Sequence, residues 1–336
     1  MTVTIASITV GTNEIQWLGK CLESLTGSRT PGIEMKVWYV DNASQDGSAS
    51  FVRERFPQVR VIENPGNYGF ARANNVGMHA ALAEGADYVF LVNPDTQTPP
   101  ALIHDLIRFM ETWPDYAVVG PMQYQYDAAS TALGDYNDWS KIALRSGERH
   151  AFAGDWPDHP SPAGPLEGRA PATLEHAYVQ GAALLVRSTA LRTVGVFDEV
   201  FHTYYEEVDL CRRARWAGWR VALLLNLGIQ HHGGGGAGNG RYRRIHMRRN
   251  RYYYLLTDIE WNGRAVLRLS MRWLRRDLLG HSVGGQTTAL QGAVETVVAI
   301  CWLLWRLPTI VERRRTHRRL PTRHADASRN MQKTAS

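Results

Sequence analysis

Two periods of apolar and polar residues trade places along the first ~120 residues, one suited to strands and one to helices. Val3–Val10, Lys36–Val40, Val59–Glu63 and Tyr88–Val92 are short runs rich in β-branched residues and predict strands. Between them, Trp17–Leu25, Ser48–Phe56, Ala71–Glu84 and Leu102–Trp113 place apolar residues at helical spacing, and a further short strand is expected around Val118. The turn-forming Asp46-Gly47-Ser48 opens the second helix. This β-α-β-α order predicts an α/β protein with an open, mostly parallel sheet flanked by helices. Ligands of such sheets bind at the carboxyl ends of the strands, so the residues that follow each strand carry the functional signal.

Residues 127–176 lose this periodicity and are rich in Pro, Gly, Asp, Ser and Ala, which predicts long loops, a lid among their expected roles. Order returns with a strand over Tyr178–Val186, a helix over Ser188–Val194, a helix over Glu207–Ala217 stopped by Gly218, and a strand over Val221–Leu225. His231-His232 then precede four glycines, as on a flexible loop. The chain divides at about residue 240: residues 241–311 read as a basic amphipathic helical extension, and 312–336 as a disordered tail. Ala289–Leu307 is apolar enough to suggest a membrane segment. It contains Glu295, however, which would cost ~2.5–3.5 kcal/mol at a bilayer centre, so a helix lying in the membrane plane or in a core is the better reading.

Charge sharpens the division. Residues 1–240 hold 18 Lys+Arg against 26 Asp+Glu, whereas residues 241–336 hold 20 against 6. An acidic body argues against nucleic acid as a partner, and a basic, aromatic-rich tail suits an anionic lipid surface. Cys21, Cys211 and Cys301 are too scattered for a disulfide framework or a zinc site. No signal peptide is evident after Met1, so the expected location is cytoplasmic, peripheral at the inner face of the cell membrane.

Several strand exits carry candidate chemistry. Asp41 ends the second strand, where a carboxylate can accept from a nucleobase or ribose, or merely shape the turn. Asn93-Pro94-Asp95 leaves the fourth strand and suits a hard cation such as Mg²⁺ or Mn²⁺, or a helix cap. Asn64-Pro-Gly-Asn-Tyr-Gly-Phe-Ala-Arg-Ala-Asn-Asn75 sets glycines and Arg72 at a helix entrance, a place for phosphate. Glu206, Glu207 and Asp209 crowd one helix start, where one can act as a general base, or all can serve the helix dipole and pair with Arg212, Arg213 and Arg215. Val10-Gly11-Thr12 offers a single glycine, which argues against a dinucleotide-binding oxidoreductase.

Taken in order, Asp41-Asn-Ala-Ser-Gln-Asp-Gly-Ser, the Asn64 segment, Leu91-Val-Asn-Pro-Asp-Thr, Val179-Gln-Gly-Ala-Ala, Gly195-Val-Phe-Asp, Tyr204-Tyr-Glu-Glu-Val-Asp and His231-His-Gly-Gly resemble the family 2 inverting glycosyltransferases of the GT-A fold. The subgroup they most resemble builds bacterial cell-surface polysaccharides and includes many rhamnosyltransferases. The resemblance implies a nucleotide-sugar donor, dTDP- or UDP-linked, and a saccharide or lipid-linked acceptor. It implies Mn²⁺ or Mg²⁺ on Asp95 with His231, and Glu207 as the base, with Glu206 and Asp209 in reserve. Nucleotide contacts fall to Thr12, Asn13, Glu14, Asp41, Asn67, Gly69, Arg72, Asn74 and Asn93. Asn93 stands where an acidic residue is usual, and Glu207 where Asp is commoner. The alternative is a non-catalytic nucleotide-sugar-binding or membrane-surface scaffold on the same fold.

Overall fold

The computed structural model describes residues 2–28, 32–125, 173–175, 178–232, 240–282 and 285–321. Nearly all of the expected 127–176 loop region lies outside the described residues. Its described part, Thr173–Glu175, is a strand rather than loop, because it pairs antiparallel with a later strand.

Strands β1 (Val3–Gly11), β2 (Ile33–Asp41), β3 (Arg60–Glu63) and β4 (Tyr88–Val92) form the parallel half of one large sheet. Helices α1 (Ile15–Thr26), α2 (Ser48–Arg55) and α3 (Gly69–Ala83) connect them. The second half is mixed. It comprises β5 (Thr96–Gln97), β6 (Tyr116–Gln125), β7 (Thr173–Glu175), β8 (Ala183–Arg187) and β9 (Arg220–His231), with α4 (Leu102–Thr112) between β5 and β6. The order is β3-β2-β1-β4-β8-β6-β9-β5, with β7 also on β9. β8 runs antiparallel to both β4 and β6, while β6 and β9 are parallel, so β4, β6 and β9 end on the same edge.

Element boundaries shift from the sequence reading where turns intervene. Tyr178–Gln180 belong to no strand, and β8 starts only at Ala183, after a turn at Gly181 and Ala182. β9 continues past Leu225 to His231, so His231 closes a strand and is not on a loop. After β8 come α5 (Ser188–Val194) and α6 (Glu206–Trp216), the latter followed by Gly218 at φ +85°.

The C-terminal part is helical: α7 (Gly240–Thr257), α8 (Gly263–Leu278), α9 (Ala289–Trp305) and α10 (Leu307–His317), with a hairpin of β10 (His281–Ser282) and β11 (Gly285–Gln286). Helix α10 occupies 312–317, the start of the expected disordered tail; its His317 is buried and faces the Thr257 carbonyl at 3.1 Å. Two apolar layers sandwich the sheet. One lies under α1, α2 and α4; the other runs from Ile8 and Val40 through α3 and α6 to Met247, Tyr253, Trp273, Leu303 and Ile310. Glu295 is buried within the C-terminal helices, where Arg244 and Arg248 bind it at 2.9 and 2.8 Å. Burial works against its charge, but the two guanidiniums hold its carboxyl below the ordinary range.

Candidate active site

The parallel half contributes a polar rim at its carboxyl edge. Asp41, buried at the end of β2, accepts from the Tyr39 hydroxyl at 3.0 Å and the Ser44 amide at 2.9 Å. One of its oxygens therefore shapes the turn, as the plainer sequence reading expected. Thr12 and Asn13 follow β1; the Asn13 side chain accepts from the Gln45 amide at 2.6 Å and its backbone takes φ +57°. Asp46 receives the Ile15 amide at 3.0 Å and the Ser48 amide at 3.0 Å, tying the entrances of α1 and α2 together.

An asparagine relay holds the phosphate-loop candidate in place. Asn42 donates to the Asn67 oxygen at 2.9 Å and accepts from Asn64 at 3.2 Å and the Tyr68 amide at 2.9 Å. Asn67 also receives the Gly69 amide at 2.9 Å. Gly69 has φ +75°, and a Cβ there would run into the His202 ring, so glycine is required twice over. Asn74 bonds its own helix at the Phe70 carbonyl, 2.9 Å away. Arg72 is exposed, 3.9 Å over the Tyr68 ring and 3.9 Å from Glu199.

The metal candidates meet although 136 positions separate Asp95 from His231. Pairing of β5 with β9 sets Thr96 opposite His231 and brings His231 Nε2 to 3.1 Å from Asp95 Oδ1. The other ring nitrogen lies 3.0 Å from Gln123 Oε1. Glu14 is buried beside them; burial first and the Asp95 charge second push its carboxyl up to about 7. No group of three or more His, Cys, Asp or Glu ligands is gathered among the described residues. A cation that completes its shell with diphosphate oxygens and water needs only one or two carboxylates, so Asp95 and His231, with the Glu14 carboxyl beside them, fit Mg²⁺ or Mn²⁺.

Glu206 and Glu207 open α6, after a stretch in which His202, Tyr204 and Tyr205 all take positive φ. Three such non-glycine residues in four positions are costly, and the loop is held from outside. Asn250 of α7 donates to the carbonyls of Phe201, Thr203 and Tyr204 at 2.9, 2.7 and 2.8 Å. Both glutamates are buried, and the Oε2 atom of each has no hydrogen-bond partner among the described residues. Burial, joined by the Glu207 charge, drives the Glu206 carboxyl well up. Burial pushes Glu207 up to about 7, against amides of Glu207 itself, Gly181 and Val208 that favour its carboxylate. Glu207 therefore loses its proton before Glu206 does.

Asp209, one turn on, differs. Arg213 Nε binds it at 2.7 Å and Arg212 closes on its other oxygen. Burial raises its carboxyl, but the two guanidiniums outweigh burial and hold it far below the usual range. A carboxylate so committed is no reserve base, and that expectation is corrected.

The pairing of β4 with β8 brings Asn93 and Glu207 to one edge, since Val92 sits opposite Ala183 and the Asn93 amide donates to the Ala182 carbonyl at 3.0 Å. Gly181, which precedes that strand, lies against Glu207. Sequence reasoning missed Asn42, Asn64, Gly181, Gln123 and Asn250 as parts of the site. The first three lie inside motifs it singled out; Asn250, within an arginine run, carries no signal.

A sheet of this order, flanked by helices, is the GT-A glycosyltransferase architecture. The chain belongs to glycosyl transferase family 2, whose model matches residues 8–161. Among its relatives is the N-acetylglucosaminyl-diphospho-decaprenol L-rhamnosyltransferase of Mycobacterium tuberculosis, 30% identical over 269 residues, 74% of this chain and 86% of that protein. Similar solved structures include a mannosyltransferase from Pyrobaculum calidifontis in complex with GDP-Man and Mn²⁺, with TM-score 0.54 and 15% identity over 91% of this chain and 75% of that one. Staphylococcus aureus TarS in complex with UDP-GlcNAc gives TM-score 0.55 at 13% identity, over 89% of this chain and 79% of that one. The protein is thus a glycosyltransferase related to enzymes of polysaccharide biosynthesis.

Proposed function

We propose that the protein inverts an anomeric centre in one displacement, moving a hexose, rhamnose foremost, from a dTDP- or UDP-sugar to a saccharide carried on a lipid diphosphate. The acceptor class follows that of the mycobacterial N-acetylglucosaminyl-diphospho-decaprenol L-rhamnosyltransferase. The observation that carries the mechanism is the buried Glu206–Glu207 pair, with an open oxygen on each and Glu207 poised near neutrality. The Glu207 carboxylate takes the acceptor hydroxyl proton while that oxygen bonds to the anomeric carbon. The bond from that carbon to the diphosphate breaks as its electron pair leaves with the nucleotide. Glu206 stays protonated and spares Glu207 a second adjacent charge. Asp41, Thr12, Asn13, Asn67 and Gly69 orient the nucleotide. A divalent cation on Asp95 and His231 would supply charge stabilisation to the departing diphosphate.

The C-terminal helices face an anionic lipid surface in this reading. No single described helix is long and apolar enough to cross a membrane, although α9 and α10, bent by 65°, pass that test of length and composition together. Among the described residues, all of the large exposed apolar side chains except Trp113 lie between Leu267 and Val311, and Arg264, Arg268, Arg272, Arg275 and Arg276 are exposed alongside them on α8. Apolar faces edged by arginine match anionic headgroups. The full chain is expected to float with phosphatidylglycerol vesicles; equal flotation of a Leu290→Asp, Trp305→Asp variant would remove this part of the reading.

The decisive test compares two variants. Glu207→Gln is expected to lower kcat by about 10³-fold while nucleotide affinity, read by calorimetry, stays within about threefold. Near-normal turnover in Glu207→Gln, with loss in Glu206→Gln, would reverse the assignment.

A further inference from the structure

Helix α7 carries several buried or half-buried arginines, and most of those facing α8 and α9 are neutralised. Arg244 and Arg248 meet Glu295, and Arg248 and Arg251 meet Asp277. Arg249 is not. Its Nε donates to Asn250 at 3.0 Å and its Nη2 to the Phe201 carbonyl at 3.1 Å, and no carboxylate among the described residues reaches it. Its guanidinium lies 4.6 Å from the Trp302 ring centre.

Arg306 meets the same indole. It stands at 5.8 Å from Trp302 and 4.3 Å from Trp305, at the bend between α9 and α10. Its Nε is buried without a hydrogen-bond partner, and no carboxylate among the described residues pairs with it. Two guanidiniums thus share one tryptophan in a half-buried place without a counter-charge among the described residues. Burial, and secondarily Arg306, pull Arg249 down to about 10 against the help of Tyr242. The neighbouring His246 and His202 add no negative charge; burial and Arg249 both push their imidazoles down. Desolvated like charges of this kind are unfavourable until an anion joins them, and the planar fork of arginine matches phosphate oxygens in pairs.

The surroundings say which anion. On one side Leu304, Trp305 and Leu307 are 59%, 70% and 48% exposed and end the apolar face of the extension. On the other, Arg249 and Asn250 hold the carbonyls of the loop that delivers Glu206 and Glu207. Apolar surface, cation pair and base therefore come in the order of a lipid chain, its diphosphate and the sugar attached to it. We propose that Arg249 and Arg306 form the subsite that receives the diphosphate of the lipid-linked acceptor. The assignment rests on the acceptor class proposed above.

Calorimetric titration of the full chain with farnesyl diphosphate tests it, with farnesol, UDP and phosphatidylglycerol vesicles as comparisons. Arg306→Gln, which replaces a side chain that makes no hydrogen bond among the described residues, and Arg249→Gln are each expected to weaken farnesyl diphosphate about tenfold. Farnesol and UDP affinities should stay within about twofold of the parent. Unchanged farnesyl diphosphate affinity in both variants, or equal binding of farnesol and farnesyl diphosphate to the parent chain, would overturn the subsite. Vesicles that displace farnesyl diphosphate and lose their own binding in the same variants would give the pair to bilayer headgroups, which also overturns it. Charge-dependent farnesyl diphosphate binding in a chain that transfers sugar to no lipid diphosphate would leave the subsite standing and sink the functional reading instead.

Discussion

Within one turn of α6 the chain buries carboxylates in two opposite ways. Glu206 and Glu207 each keep an oxygen without a hydrogen-bond partner among the described residues, and burial raises both carboxyls. Asp209 points the other way into Arg212 and Arg213, which tie it to the Tyr254 carbonyl and to Val194 and Val196. The C-terminal helices repeat the second pattern with Asp277 and Glu295. Burial alone does not mark a functional acid; the absence of a cation does, because an unpaired carboxyl keeps a pKa that a reaction near neutral pH can use.

The largest test of this contrast is catalytic. If Glu207 is the base, log kcat/KM should climb with pH and level off above about 7, and Glu207→Gln should abolish that limb along with about 10³ of turnover. A flat profile in the parent enzyme would break the contrast at its first term. Next comes stability. Asp209→Asn leaves two buried guanidiniums short of a counter-charge and is expected to cost about 3–5 kcal/mol in denaturant unfolding. A loss below about 1 kcal/mol would mean that the paired acids are no more structural than the unpaired ones.

A smaller effect has the opposite sign. The Glu207 carboxyl is raised on folding, so the native state binds more protons than the unfolded chain between about 4.5 and about 7. Its contribution to stability therefore falls as pH rises through that window. Glu207→Gln should unfold at higher denaturant than the parent by ~1–3 kcal/mol at about pH 8, with the gap closing below about pH 4. The smallest effect is a control in the extension: Thr288, whose side chain caps α9 in a reciprocal bond with Gln291, should lose about 1 kcal/mol on replacement by Ala at any pH.

The alternating strands and helices of the first half were legible because each element is periodic and bounded by Gly, Pro, Asn or Asp. The acids at the ends of β2 and β4 and at the start of α6 were legible for the same reason: short polar motifs interrupt apolar runs. What could not be read depends on pairing at a distance. Nothing local says that β8 slots in antiparallel, that β9 runs on to His231 to meet Thr96, or that Glu295 will find Arg244 and Arg248 some 50 residues upstream. Local signals also misled at Tyr178–Gln180, where an apolar start precedes a turn at Gly181 whose amide serves Glu207.

The three bonds from Asn250 bear on how such a chain can be cut or recombined. A break near residue 240 looks natural by composition, since charge reverses sign there. In space it would strip the loop before α6 of its clasp and open the apolar layer that Met247, Tyr253, Leu303 and Ile310 complete. The extension is therefore no exchangeable cassette. A chimaera that borrows another C-terminal segment must keep α7 with the N-terminal half and join beyond Thr257, or carry the loop from Phe201 to Tyr205 along with its new partner.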